Sequence, residues 1–348
     1  PTLKQLYKLA KAFRQSVGTF YLESPPEKSE PLREMRRLKD KPPNQESSEL
    51  ATAVEDVLQR RETALGMFED LGREPPKWKF TTSVDEDPEL VGTKLRNYLK
   101  ADVDEQADND SPYDALNYWR GLIEDKGILC FQVPRVSVEE MRGFAISKSP
   151  LPIVAVNRKD SPTARIFTLL HEVCHIALDD SILHEDYPIT NQTEKSAHDT
   201  DESNTDVERF CNEVAAAAVI PREDLMSHHK VQKAGEKGAW KKEEVKGIAS
   251  VYNVSPSVAL RRLHNFGRVA DHLFYNLVED FDQYSPSQKS GGSDGGNYYL
   301  NQRSELGKFY SSLAFESYYN GSMTLSELSS ALNVKAGNIS RYEKEVLS

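Results

Sequence analysis

The sequence predicts an α+β fold, mostly helical, with one small β-sheet near the middle of the chain. Apolar residues recur at three-four helical spacing before residue 127 and after residue 161, whereas 128–133, 143–147 and 153–157 are short β-branched or aromatic runs. Pro, Gly and Ser bound those runs, as they bound strands of a small sheet.

From the N-terminus, residues 2–14 set Leu3, Leu6, Leu9, Ala10 and Phe13 on one face and lysines on the other, an amphipathic helix with Thr2 as its cap. The apolar stretch Val17–Leu22 ends at Pro25-Pro26, and the Pro-, Lys- and Glu-rich residues 25–46 read as a linker. Residues 47–72 carry Leu50, Val54, Val57, Leu58, Leu65 and Phe68 at helical spacing. Residues 81–111 are acidic, with a helix predicted around Leu90–Leu99 and a loop at Asp102–Asp110; a further helix runs from Pro112 to Lys126, where Gly127 stops it. After the three strands, Ser161 caps and Pro162 opens a helix at 162–179. Helices follow at 203–220, 221–229, 239–251, 255–266 and 271–280. Residues 285–297 are low-complexity Gly and Ser, and after them come a helix at 302–320 and a short pair, Thr324–Leu332 and Ala336–Val346. The expected organisation is an N-terminal piece at 1–24, a linker at 25–46, a helical connector at 47–111, a central domain at 112–283, a linker at 284–297 and a C-terminal helical module at 298–348.

Composition narrows the function. The chain of 348 residues carries 44 basic and 55 acidic side chains, a formal charge of −11. Residues 1–42 hold ten Lys/Arg against five acids, so this end is +5 and the rest −16. An acidic body repels phosphate, which confines any expected DNA contact to the N-terminal end or to residues upstream of Pro1; a start at Pro rather than Met suggests such residues. No long apolar window or secretory leader is present, and three cysteines are too few for a disulfide framework, so a cytoplasmic, reducing location is expected with no membrane contact.

Residues 171–175 read His-Glu-Val-Cys-His on the helix that starts at Pro162. Four residues turn a helix by about 400°, so His171 and His175 project from one face on adjacent turns, as two ligands of one metal ion must. Glu172 lies about 100° round, placed to move a proton beside the metal rather than to bind it. Ile166-Phe-Thr-Leu-Leu makes the helix an apolar core element, and burying two histidines and a glutamate there is costly without a partner such as zinc. A catalytic zinc needs a third ligand and one open position. On the next long helix Glu208, Cys211, Asn212 and Ala215 share a face, and the alanines Ala215–Ala218 permit close helix approach; Glu208 is the preferred third ligand. Glu202 and Asp206 lie nearer the helix start, and Glu213 points elsewhere. His184, His198 and the pair His228–His229 are weaker alternatives.

These residues resemble a known family. His171-Glu-Val-Cys-His175 after Arg165-Ile-Phe-Thr-Leu-Leu, then Glu208-Arg-Phe-Cys-Asn212 and Ala215-Ala-Ala-Ala-Val-Ile-Pro221, are similar to the motifs of the ImmA/IrrE bacterial zinc metallopeptidases, and the likeness spans about residues 112–267. It implies a zincin-like core, His171, His175 and Glu208 as zinc ligands, and Glu172 as general base. Cys174 departs from the Gly often found there; it reads as a small buried hydrophobe. Pro1–Lys11 with Val17–Leu22 is similar to the last helices of the XRE-type helix-turn-helix domain often fused before these peptidases, its recognition helix falling upstream of Pro1. Thr324–Lys335 with Ile339–Tyr342 has similar phrasing, but its balanced charge suits packing or a protein partner better than phosphate.

The resemblance implies a protein substrate, commonly a helix-turn-helix repressor cleaved to switch on a stress, prophage or defence programme. An extended substrate is expected along Ile153–Val156. The alternative is a DNA-binding regulator or antitoxin that uses the peptidase fold as a sensor or partner-binding body; a structural zinc site is disfavoured because such sites close with four Cys/His ligands.

Overall fold

The computed structural model describes Gln5 and residues 47–182, 199–283 and 298–347; the helix expected at 2–14 (Gln5, which is helical, apart) and the linkers at 25–46 and 284–297 lie outside them. Helix α1 (Ser48–Asp70) starts where the Ser47 hydroxyl accepts from Leu50 N, and it buries Leu50, Val54, Val57, Ala64, Met67 and Phe68. Helix α2 (Pro88–Leu99) takes Asp87 as cap and ends at Lys100 in the left-handed region. The expected loop at Asp102–Asp110 contains a short helix, α3 (Val103–Ala107), because the Asp102 carboxylate accepts from both Asp104 N and Glu105 N. Helix α4 (Pro112–Glu124) stops before Gly127, whose φ of 90° suits glycine.

Three strands follow: β1 (Leu129–Val133), β2 (Gly143–Ile146) and β3 (Ile153–Asn157). Their order is β1-β3-β2, with β1 parallel and β2 antiparallel to β3. Every residue of β3 is buried, as suits a central strand. The expectation that a substrate adds along Ile153–Val156 therefore fails, because β3 is hydrogen-bonded on both sides; β2 is a terminal strand. The loop entering β2 is anchored by the buried Asn157, whose Nδ2 donates to the carbonyls of Val136, Ser137 and Met141 at 3.2, 3.1 and 2.7 Å. The loop leaving β2 is gripped by the buried Arg61 of α1, which donates to the carbonyls of Lys148, Pro150 and Leu151.

Helix α5 (Pro162–Ile182) packs on β2 and β3, and α6 (Asp199–Val219) packs on α5 and α2. The helix expected at 221–229 is two short ones, α7 (Arg222–Ser227) and α8 (His229–Ala234), split at His228 with ψ 126°. Helices α9 (Lys242–Val251), α10 (Pro256–Asn265) and α11 (Asp271–Gln283) complete the main core. The helix expected at 302–320 is broken at Gly307 into α12 (Tyr298–Leu306) and α13 (Lys308–Tyr319). The break has a cause: Gly307, with φ 83°, lies against the buried Arg120–Glu124 pair of α4. Arg120 also donates to the carbonyls of Ser304 and Cys130, and Glu124 accepts from Phe309 N. Helices α14 (Leu325–Ala331) and α15 (Ile339–Leu347) bury Leu328, Leu332, Tyr342 and Val346, with Tyr342 stacked on Phe315 of α13. The fold is thus α+β and mostly helical, and among the described residues no helix is long and apolar enough to cross a membrane.

Candidate metal centre

The apolar side of α5 (Ile166, Leu169, Leu170, Val173, Ala177) is fully buried, which fixes the direction of everything else on the helix. His171 and His175 rise from adjacent turns, and their Nε2 atoms stand 3.0 Å apart. Glu208 arrives from α6 with one carboxylate oxygen 3.5 Å from His171 Nε2 and the other 3.4 Å from His175 Nε2. Among the described residues, His171, His175 and Glu208 form the group of His, Cys, Asp or Glu side chains spaced to share a metal ion. The alternatives stay apart: Asp206 pairs with Arg209 at 3.1 Å, Glu213 is exposed, and His228 and His229 stack on each other. His184 and His198 lie outside the described residues, as does the side chain of Glu202.

Glu172 is 9% exposed and sits where β2 crosses α5. That crossing needs a glycine. A Cβ on Gly143 would lie 3.3 Å from Glu172 Cγ and deep inside contact distance of the Thr168 methyl. Gly143→Ala is therefore expected to destabilise the fold by ~1–3 kcal/mol, the usual cost of overpacking. Thr168→Ser, which deletes the methyl, should recover part of the loss in urea denaturation; no recovery would place the strain elsewhere.

Two devices position α6, and with it Glu208. The alanine run does permit a close approach, but the helix that uses it most tightly is α2: a Cβ on Gly92 would fall 2.5 Å from Ala217 Cβ. At the C-terminal end of α6, three consecutive carbonyls would be buried without partners. Arg96 Nη1 donates to Ala218 O at 2.9 Å, Gln106 Nε2 to Val219 O at 3.1 Å, and Arg262 Nη2 to Ile220 O at 2.7 Å. Arg262 is itself clamped by both oxygens of Glu89 at the start of α2. Positive charge at a helix C-terminus also complements the helix dipole.

The electrostatics of the three donors are linked. Hydrogen bonds to His171 first, and then to His175, hold the Glu208 carboxyl well below the usual carboxylate range. Burial disfavours the charged form of both histidines; for His171 the hydrogen bond to Glu208 and the nearby carboxylate of Glu172 outweigh it, for His175 the contact with Cys211 and then the hydrogen bond to Glu208 do, and both stand above the ordinary His value. Behind them, Cys211 Sγ lies 3.4 Å from His175 Nδ1, with Cys174 beside it. That neighbour, with burial, pushes the Cys211 thiol far up, so it stays protonated. All three cysteines are free and buried.

The arrangement offers two imidazole nitrogens and a carboxylate to one point, with a second carboxylate beside it able to carry a proton. The structure brings together His171, His175 and Glu208, which the sequence singled out, with Glu172 on the same helix as the two histidines. Sequence spacing missed Gly143 and the capping trio Arg96, Gln106 and Arg262, since their partners are distant in the chain. No curated protein matched the chain. Residues 130–264, which contain the sheet, both donor helices and the Arg262 clamp, match the family model for the IrrE N-terminal-like domain (Peptidase M78), which supports the ImmA/IrrE family and a metallopeptidase-type function.

Proposed function

We propose that the protein is a zinc-dependent endopeptidase that cleaves a protein substrate, a helix-turn-helix transcriptional repressor, and so relieves repression of a stress, prophage or defence programme. The observation that carries this reading is the convergence of His171, His175 and Glu208 with Glu172 alongside. Two imidazole nitrogens and a carboxylate gathered within 4.8 Å of one another are a donor set that would hold zinc. When bound, zinc supplies Lewis acidity, polarising the scissile carbonyl and lowering the pKa of water towards neutrality.

The chain's own residues do the rest. Glu172 takes the proton released from the attacking water and delivers it to the departing amine, which needs a carboxylate beside the metal and not on it. The terminal strand β2 passes Glu172 at Gly143, and an extended substrate segment added to its outer edge lies next to both. A protein used only for binding has no need of three converging donors and an adjacent base, which favours the enzyme over the regulator alone.

Glu172→Gln tests the mechanism. The variant is expected to retain one zinc per chain and to lose cleavage of the cognate repressor by ~10²–10⁴-fold, the range for a general acid–base group. Unchanged cleavage by this variant would sink the assignment.

A further inference from the structure

A histidine that gives a metal its Nε2 lone pair carries its proton on Nδ1, and an acceptor for that proton orients the ring; among the described residues His171 Nδ1 is buried without one, whereas His175 Nδ1 has one within reach. For His175 the nearest acceptor on α6 is a thiol. Cys211 is 0% exposed, lies 3.4 Å from His175 Nδ1, and sits three residues after Glu208, one turn along the same helix face. Cys174, on α5 one residue before His175, is 1% exposed and belongs to the same buried core.

We propose, on the premise that the centre binds zinc as above, that Cys211 is a positioning residue for His175: its Sγ accepts the Nδ1 proton and holds the imidazole in the tautomer whose Nε2 faces the metal. The same helix α6 therefore provides a ligand through Glu208 and the support of another ligand through Cys211. If α6 shifts along its axis, both change together.

The pair is not built as a redox sensor. Both sulfurs are buried, and sensor thiols are exposed and readily ionised. The chemistry that fits is a neutral, soft acceptor in a dry site.

The test uses the full chain and zinc itself, with affinity measured by chelator competition, thermal midpoint measured beside it, and the ¹⁵N shift of His175 Nδ1 recorded in the zinc-loaded protein. Cys211→Ala, which removes the acceptor, is expected to weaken zinc binding ~10–100-fold, as loss of an outer-shell partner does, and to move the His175 Nδ1 shift towards that of an N–H without an acceptor. Cys211→Ser, which keeps an acceptor of similar size, is expected to restore affinity to within about threefold of the parent and to restore the Nδ1 shift. Equal losses in the Ala and Ser variants, tracking their thermal midpoints, would overturn the proposal in favour of simple packing, as would unchanged affinity in Cys211→Ala. A parent protein that takes up no zinc would instead refute the metallopeptidase reading on which the proposal stands.

Discussion

Glu208→Ala is expected to cut zinc affinity by more than the ~10–100-fold typical of outer-shell partners, because in the proposed centre Glu208 is one of three ligands. Metal analysis of the purified variant checks it, and undiminished stoichiometric zinc would rule out the three-ligand centre. The metal-free protein carries a second signature of the same geometry. Its histidines stand above their ordinary value, so their contribution to stability is present below the unfolded-state His value and is lost as pH rises through the raised ones. Glu208 is depressed, so its contribution is present above the ordinary carboxylate value and is lost as pH falls. Zinc needs neutral histidines, and its effect therefore runs the other way. The zinc-induced rise in melting temperature is expected to be small near about pH 5.5 and to grow towards about pH 8. In Glu208→Ala that growth should largely vanish.

Arg262→Met is expected to destabilise the protein by ~2–3 kcal/mol, below the 3–5 typical when one partner of a fully buried ion pair is removed. The discount reflects Glu89, whose side chain is 31% exposed, whereas that of Arg262 is 2% exposed. Two losses combine: the Glu89 carboxylate is left without its cation, and the Ile220 carbonyl at the end of α6 is left without a donor. At this chain length the change corresponds to roughly 3–4 °C in melting temperature. A double-mutant cycle with Glu89→Gln separates the terms. The double variant should be more stable than the sum of the singles implies, and strict additivity would show that the pair is not coupled. Zinc affinity should also fall in Arg262→Met, since the clamp sets the axial position of the helix that carries Glu208.

How far the sequence revealed this centre depends on which contacts are local. His171, Glu172 and His175 lie within one helix, and a fixed turn of 100° per residue places them without knowledge of the fold. Glu208 was legible because the Glu208–Asn212 segment carries its own helical face and a run of alanines. Strand limits were legible too, from β-branched runs bounded by Pro and Gly. Strand order was not: period-two patterning says which residues pair into sheets, never which strand ends in the middle, and so the substrate edge was placed on β3 rather than β2. The break at Gly307 was hidden for a similar reason, since its cause, Arg120 with Glu124, lies about 180 residues earlier. Asp102 was a missed local signal, a cap followed by acids that was read as a loop. The role of the alanine run was foreseen in kind, but its closest neighbour, Gly92, could be found only from the packed structure.

That Gly92–Ala217 contact has a consequence beyond proximity. Glycine and alanine have no side-chain rotamers to lose, so bringing α2 and α6 together there costs no side-chain conformational entropy on either surface. Nor do they leave any rotamer free to rearrange once the helices meet. A junction lined with leucine or methionine can yield by repacking; one made of a bare backbone and methyl groups can only stay seated or part. At this point the helix that carries Glu208 rests on a contact with no rotamer to yield, the mechanical property a three-point donor set needs if its geometry is to survive thermal motion.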